Sequence, residues 1–164
     1  MSNPVVPKPG SSMERVAQDA ERLGLQIELR VMDQSTRTAE DAAEACGCTV
    51  GQIVKSLVFE NADTGALALL LVSGSHNADL EYISSRYGLN LKRCDGRRVR
   101  DETGFAIGGV APIGHKAPVA TWLDESLLAY ETVWAAAGRP DSVFSVNPRA
   151  LVDAVKPQLI TVLG

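Results

Sequence analysis

Two apolar runs separated by a five-residue turn constrain this chain most. Residues 53–60 and 66–73 are dominated by aliphatic side chains, and Asn61-Ala62-Asp63-Thr64-Gly65 between them is turn chemistry, so the pair predicts a β-hairpin. The second run is less interrupted by polar residues and is expected to be the more buried strand.

Helix and strand signals alternate irregularly around this hairpin. Ser11 or Ser12 can cap a helix that places Val16, Ala20 and Leu23 on one face and ends at Gly24. Residues 27–32 alternate apolar and polar, as a strand does. Thr38-Ala39-Glu40-Asp41 resembles a capping box with Asp in place of Glu, opening an Ala-rich helix that stops near Gly47; Thr49 caps one more turn. Ser75 or Asn77 is the expected cap of a helix reaching Tyr87 and closed by Gly88. A short helix at 97–102, strands at 91–94, 119–123, 132–136, 143–146 and 159–163, and a helix from Pro148 to about Val155 complete the pattern. Residues 1–10, with Pro4, Pro7 and Pro9, read as a flexible tail. Residues 11–164 read as one mixed α/β (α+β) domain, because hairpin-linked strands do not fit a regularly alternating parallel fold.

The 164 residues suit one domain, and 45% hydrophobic with 22% charged residues is ordinary for a globular protein with a sizeable core. A net charge of -4 does not suit a protein that tracks long nucleic-acid backbones, so any such contact should be local, at one end of the polymer. Three cysteines, an odd number, with no secretory signal argue for a reducing compartment, and no apolar run reaches the roughly 18 residues that span a bilayer. The expectation is a cytoplasmic protein with no membrane association.

Lys55 stands inside the first apolar run and shares a strand face with Ile53, Leu57 and Phe59. It reads either as an edge-strand lysine whose stem covers the core or as a pocket cation for a phosphate or oxyanion. Three glycines and Pro112 fall within Gly108-Gly109-Val110-Ala111-Pro112-Ile113-Gly114. Such a loop can bring backbone N–H groups close to a ligand, as an anion nest or oxyanion hole; the alternative is a plain glycine-rich turn. Its spacing is not that of a dinucleotide-binding fingerprint. His115 follows directly and reads as a general base, a hydrogen-bond donor or a structural residue. His76, in Ser-Gly-Ser-His-Asn, reads as a cap or a solvent contact. Cys46 and Cys48 lack a second close pair and read as small core residues, not as zinc ligands. A Ser–His–Asp triad is not excluded by residue types, although no Gly-x-Ser-x-Gly elbow is present. Lys92, Arg93, Arg97, Arg98 and Arg100 form the densest basic run, either a solvated face or a set of phosphate contacts.

Together these stretches resemble the YbaK-type family of bacterial prolyl-tRNA editing proteins. Gln52-Ile53-Val54-Lys55-Ser56-Leu57-Val58-Phe59 looks like the family's lysine strand. Thr103 through Gly114 looks like its glycine-x-x-x-proline loop, here Gly108 to Pro112. Val133-Trp134-Ala135-Ala136-Ala137-Gly138 with Val143-Phe144-Ser145-Val146 looks like its C-terminal segment. The resemblance implies a mixed, partly barrel-like β-sheet flanked by helices, and hydrolysis of the ester joining a small noncognate amino acid, such as Cys or Ala, to tRNA(Pro). It implies that Lys55 anchors the terminal nucleotide, that backbone groups of Gly108, Gly109 and Val110 position the ester carbonyl, and that Pro112 shapes the loop. No Ser or Cys nucleophile, cofactor or metal is expected. Partners implied are the tRNA 3′ acceptor end and a prolyl-tRNA synthetase, and not DNA. A substrate-contacting His115 is an expectation beyond the family pattern. Asp141 lies near a position where some relatives carry an aspartate, but with a different local spacing. A noncatalytic module that binds aminoacyl-tRNA or a synthetase is the rival from another class. A hydrolase of small esters or nucleotide conjugates is a third reading.

Overall fold

The computed structural model describes residues 2–4, 6–33, 36 and 38–163. In chain order the elements are β1 (Ser2–Pro4), α1 (Ser12–Arg22), β2 (Glu28–Met32), α2 (Ala39–Cys46), a 3-10 turn (Val50–Gln52), β3 (Ile53–Asn61), β4 (Leu67–Ser73), α3 (Leu80–Tyr87), β5 (Leu91–Arg93), α4 (Gly96–Thr103), β6 (Ala120–Asp124), a 3-10 turn (Glu125–Ala129), β7 (Val133–Ala136), β8 (Ser142–Val146), α5 (Pro148–Val155) and β9 (Gln158–Ile160).

Local chemistry accounts for most boundaries. Ser11 accepts the Glu14 N–H at 3.2 Å, Thr38 accepts the Asp41 N–H at 3.0 Å, and Gly47 takes the left-handed conformation that closes α2. The cap of α3 differs from the sequence expectation. Asp79 accepts the Tyr82 N–H at 3.0 Å, while the Ser75 hydroxyl bonds that of Ser73 at 3.1 Å. A carboxylate one residue before the helix outcompetes hydroxyl or amide groups farther back. Within the stretch read as a tail, Ser2–Pro4 pair with β2.

The strands form one mixed sheet in the order β1-β2-β8-β7-β3-β4-β6-β9, with β5 added on β3. β3–β7, β4–β6 and β6–β9 are parallel and the other pairs antiparallel. Among the described residues no pairing joins β1 to β9, so the sheet remains open. β4 is buried along its whole length, as its apolar run requires. Leu69 and Leu71 face α1 and α5 with Val16, Ala20 and Leu151, whereas Leu70 and Val72 face α3 with Ile83. Each Val, Leu or Ile among them contributes about 1.5–3 kcal/mol by leaving water. A third cluster seats α2, through Ala42 and Ala43, on Ile53, Trp134 and Val143. Ile53 therefore lies under α2, and Leu57 and Phe59 lie with the α3 cluster. Lys55, between them on the same face, falls at the seam.

Candidate active site

A gap in the sheet creates the site. β3 pairs with β4 from Val54 to Glu60 along one edge. Along its other edge it meets β7 only at Ile53 and Val54, and β5 only from Phe59 to Asn61. Among the described residues, 55–58 have no strand neighbour there. The Gly74 N–H donates to Ile53 O at 2.7 Å and the Asn61 N–H to Ala66 O at 2.8 Å, so odd-numbered residues of β3 direct their backbone groups toward β4. Strand alternation turns those of Ser56 and Val58 into the gap.

A cavity of about 260 Å³ opens at this gap, with walls that include Ala42, Ile53, Lys55, Gly108, Trp134 and Ala136. Lys55 is the one charged residue among those described there. A second cavity of about 270 Å³ shares Ser56, Leu57, Ile107, Gly108 and Val110 with the first and extends to Arg93. Ile107, 67% exposed, stands where the two meet.

Lys55 is part-buried and its ammonium donates to the main-chain oxygen of His76. Burial pushes its pKa below the ordinary lysine value, and the carboxylates of Glu40 and Asp124 oppose that shift. The Ser56 hydroxyl is buried without a partner among the described residues, and none of them stands by as a base to activate it as a nucleophile.

The glycine loop meets the cavity through a tight turn. The Gly109 N–H donates to Ala106 O at 3.0 Å, and Gly108 has φ +93°, which together make a type II turn over 106–109. That turn occupies the Gly109 N–H. The N–H groups of Gly108 and Val110 have no protein acceptor among the described residues, and both residues line the first cavity. Gly109 is pressed against the 138–139 backbone; a Cβ there would lie 3.0 Å from Arg139 N.

Pro112 and His115 are not brought to Lys55. They border a separate cleft with Asp19, Lys116 and Val119. The His115 ring bonds Ala111 O through Nε2 at 2.7 Å and meets the Phe105 ring edge-on at 5.1 Å. Burial lowers its pKa, so it is neutral at physiological pH. Asp141 pairs with Arg139 at 3.1 Å. Cys46 is pushed up to about 12 by burial and by the neighbouring Cys48, and burial raises the pKa of Cys48 and Cys94 as well. These thiols are not poised nucleophiles. Among the described residues no three His, Cys, Asp or Glu side chains converge as metal ligands.

The reading of His76 as a cap or solvent contact misses its setting. Its Nδ1 lies 2.8 Å from Asp124 Oδ2, a carboxylate only 2% exposed. Ser126 Oγ approaches the same Nδ1 at 3.4 Å and donates to Asp124 Oδ1 at 2.7 Å. A Ser–His–Asp triad needs the serine on Nε2 and the aspartate on Nδ1. Here both groups face one nitrogen, so these three residues do not form a triad. In the basic run, Lys92 and Arg98 are tied to Glu60, whereas Arg93, Arg97 and Arg100 make no ion pair among the described residues.

Comparison with known proteins shows the family. The aminoacyl-tRNA editing domain model matches residues 33–154. The chain belongs to the aminoacyl-tRNA editing domain family. It is 30% identical over 119 residues to the uncharacterized protein YwhH of Bacillus subtilis, covering 73% of this chain and 75% of that one. It is 28% identical over 124 residues to EbsC of Enterococcus faecalis, a candidate Cys-tRNA(Pro)/Cys-tRNA(Cys) deacylase, covering 74% of each. A solved structure described as a candidate trans-editing enzyme for prolyl-tRNA synthetase superposes with a TM-score of 0.84 at 41% identity, covering 97% of this chain and 99% of that one. The editing match spans β3, the glycine loop and β7, three of the segments that line the cavity.

Proposed function

We propose that this chain hydrolyses mischarged aminoacyl-tRNA of the prolyl editing type, releasing a small noncognate amino acid from the tRNA 3′ end. The observation that carries this reading is the joining of Lys55 and the Gly108 turn at one small apolar cavity. At about 260 Å³ it lies below the roughly 300–1,000 Å³ of sites for drug-sized ligands, a scale that suits an aminoacyl group. The family match and the names of a deacylase-type relative and a trans-editing-type structure support the same chemistry.

The ammonium of Lys55 anchors the terminal nucleotide through phosphate. The free N–H groups of Gly108 and Val110 face the ester carbonyl and stabilise the oxyanion that forms as water attacks. Gly109 and Pro112 support this arrangement by fixing the loop, and His115, neutral and turned to Ala111 O, holds the far side of the same loop. Among the described residues that line the cavity no nucleophile–base pair stands, and the rate derives from position and electrostatics. Arg93, at the end of the second cavity, contacts a phosphate of the incoming CCA end, and the exposed Ile107 offers a base an apolar surface. A charged-tRNA substrate supports a cytoplasmic location. A proline–tRNA ligase of Thermosipho africanus shares a segment 31% identical over 86 residues, 15% of its length, and a synthetase partner fits that kinship.

Multiple-turnover release of labelled amino acid from misacylated tRNA(Pro) tests the reading. Tight binding without turnover would contradict it and favour a noncatalytic module; equal turnover of a small ester lacking the tRNA body would favour the small-ester hydrolase.

A further inference from the structure

Lys55 is held by a peptide carbonyl, not by a carboxylate. A neutral acceptor fixes the ammonium without cancelling its charge, whereas a contacting carboxylate would form an ion pair that an incoming phosphate must break. The position of Lys55 then depends on the His76 turn. That turn follows the end of β4 and is largely solvent-facing; Ser75, Asn77 and Asp79 are exposed. His76 ties it inward through the Asp124 contact, alongside its own N–H to Ser73 O at 2.9 Å and the Ser73–Ser75 hydroxyl bond.

Asp124 is built for this. Its buried carboxylate accepts from Ser73 N at 3.1 Å, Ser126 N at 3.0 Å and Ser126 Oγ at 2.7 Å, besides facing His76 Nδ1 at 2.8 Å. Those four contacts tie the end of β4, the His76 turn and the end of β6 to one group. With both oxygens engaged and almost no exposure, Asp124 does not reach substrate. The wrong geometry for a triad leaves the pair without a nucleophile to activate.

We propose that His76 and Asp124 are positioning residues for Lys55: the buried carboxylate fixes the imidazole, the imidazole fixes the turn, and the turn's carbonyl sets where the ammonium stands at the cavity mouth. The proposal rests on the deacylase reading for the role of Lys55, not for the geometry.

The test compares His76→Ala, His76→Asn and His76→Gln, each alone and with Lys55→Ala. An Asn amide reaches the place of Nδ1, and a Gln amide that of Nε2. His76→Ala and His76→Gln are expected to lower kcat/KM on mischarged tRNA(Pro) by about tenfold or more, as misplaced groups do. His76→Asn should recover most of the loss. In the Lys55→Ala background the His76 substitutions should cost nothing further in the residual single-turnover rate at high protein concentration, because the group they position is gone. Wild-type activity in His76→Ala, or an undiminished loss in the double variant, would overturn the proposal. Should His76→Ala fold poorly, the Asn–Gln contrast decides between stably folded variants. The Lys55 Cε resonance, followed without tRNA, separates the two readings. It should move in the Ala and Gln variants and hold in Asn. An unmoved resonance in His76→Ala overturns the positioning role whatever the assay shows. A moved resonance with an inactive wild-type chain would overturn the deacylase reading alone.

Discussion

Replacing Gly108 by alanine separates the loop's chemistry from its stability. Gly108 has φ +93° and nothing within 4 Å of an added Cβ, so the substitution meets no steric wall. Its cost is conformational, about 1–2 kcal/mol for a residue with a Cβ at left-handed φ. In a domain of this size that lowers Tm by about 2–8 °C. The alanine can escape by flipping the 107–108 peptide, which turns type II into type I. That flip carries the Gly108 N–H away from the cavity. Loss of one oxyanion donor typically costs about 100- to 1,000-fold in kcat. Gly109→Ala is the counterpart. Its Cβ would press on the backbone at Gly138 and Arg139, both 3.0 Å away, so it should lose about 1–3 kcal/mol of stability by overpacking. Single-turnover deacylation and thermal melting of both variants check this. Wild-type turnover in Gly108→Ala with an unchanged Tm, the mark of the flipped peptide, would refute the assignment of an oxyanion donor to this turn.

Other consequences concern neighbouring groups. Lys55→Met should hold or slightly raise Tm at neutral pH, because it removes a charge that burial disfavours, yet abolish turnover; a large fall in Tm would mark the lysine as structural. The sign for pH follows from the same lowered pKa. The unfolded chain binds the Lys55 proton more tightly than the folded one, so this residue's contribution to stability rises as pH climbs from the folded value toward the ordinary lysine value. Turnover that needs the charge should fall over that same range, and a pH–rate profile flat through it would contradict the role. Arg93→Ala should weaken binding similarly across tRNA sequences and reduce the slope of log K against log salt by about 0.7–0.9, the value of one phosphate contact; an unchanged slope removes Arg93 from the path. The cysteines should resist alkylation in the native protein at pH 8, since burial raises all three thiol pKa values; rapid labelling of Cys46 would contradict its setting.

The parts of this structure legible in the sequence are those written locally. The β3–β4 hairpin, the Thr38 and Ser11 caps and the Pro148 helix start each depend on a few consecutive residues. Lys55 was legible as a charge out of place on an apolar face, and the Gly108 loop as a backbone free of side chains. Alternation did not reveal the gap in the sheet, because β5 and β7 both join β3 on one edge and only their registers leave residues 55–58 open. The separation of His115 from Lys55 is likewise tertiary. Asp124 gave a faint signal, a carboxylate ending an apolar strand with Ser126 two residues on, but its contact with His76 spans 48 positions. No local pattern encodes such a pair.

The most direct test charges tRNA(Pro) in turn with alanine, cysteine, serine and proline and follows deacylation by the wild-type chain and Lys55→Ala side by side. Turnover of a small noncognate ester, sparing prolyl-tRNA and lost in the variant, is the predicted result. Equal turnover by both proteins, or none of any ester by the wild type, would contradict the assignment of this cavity as a Lys55-dependent editing site.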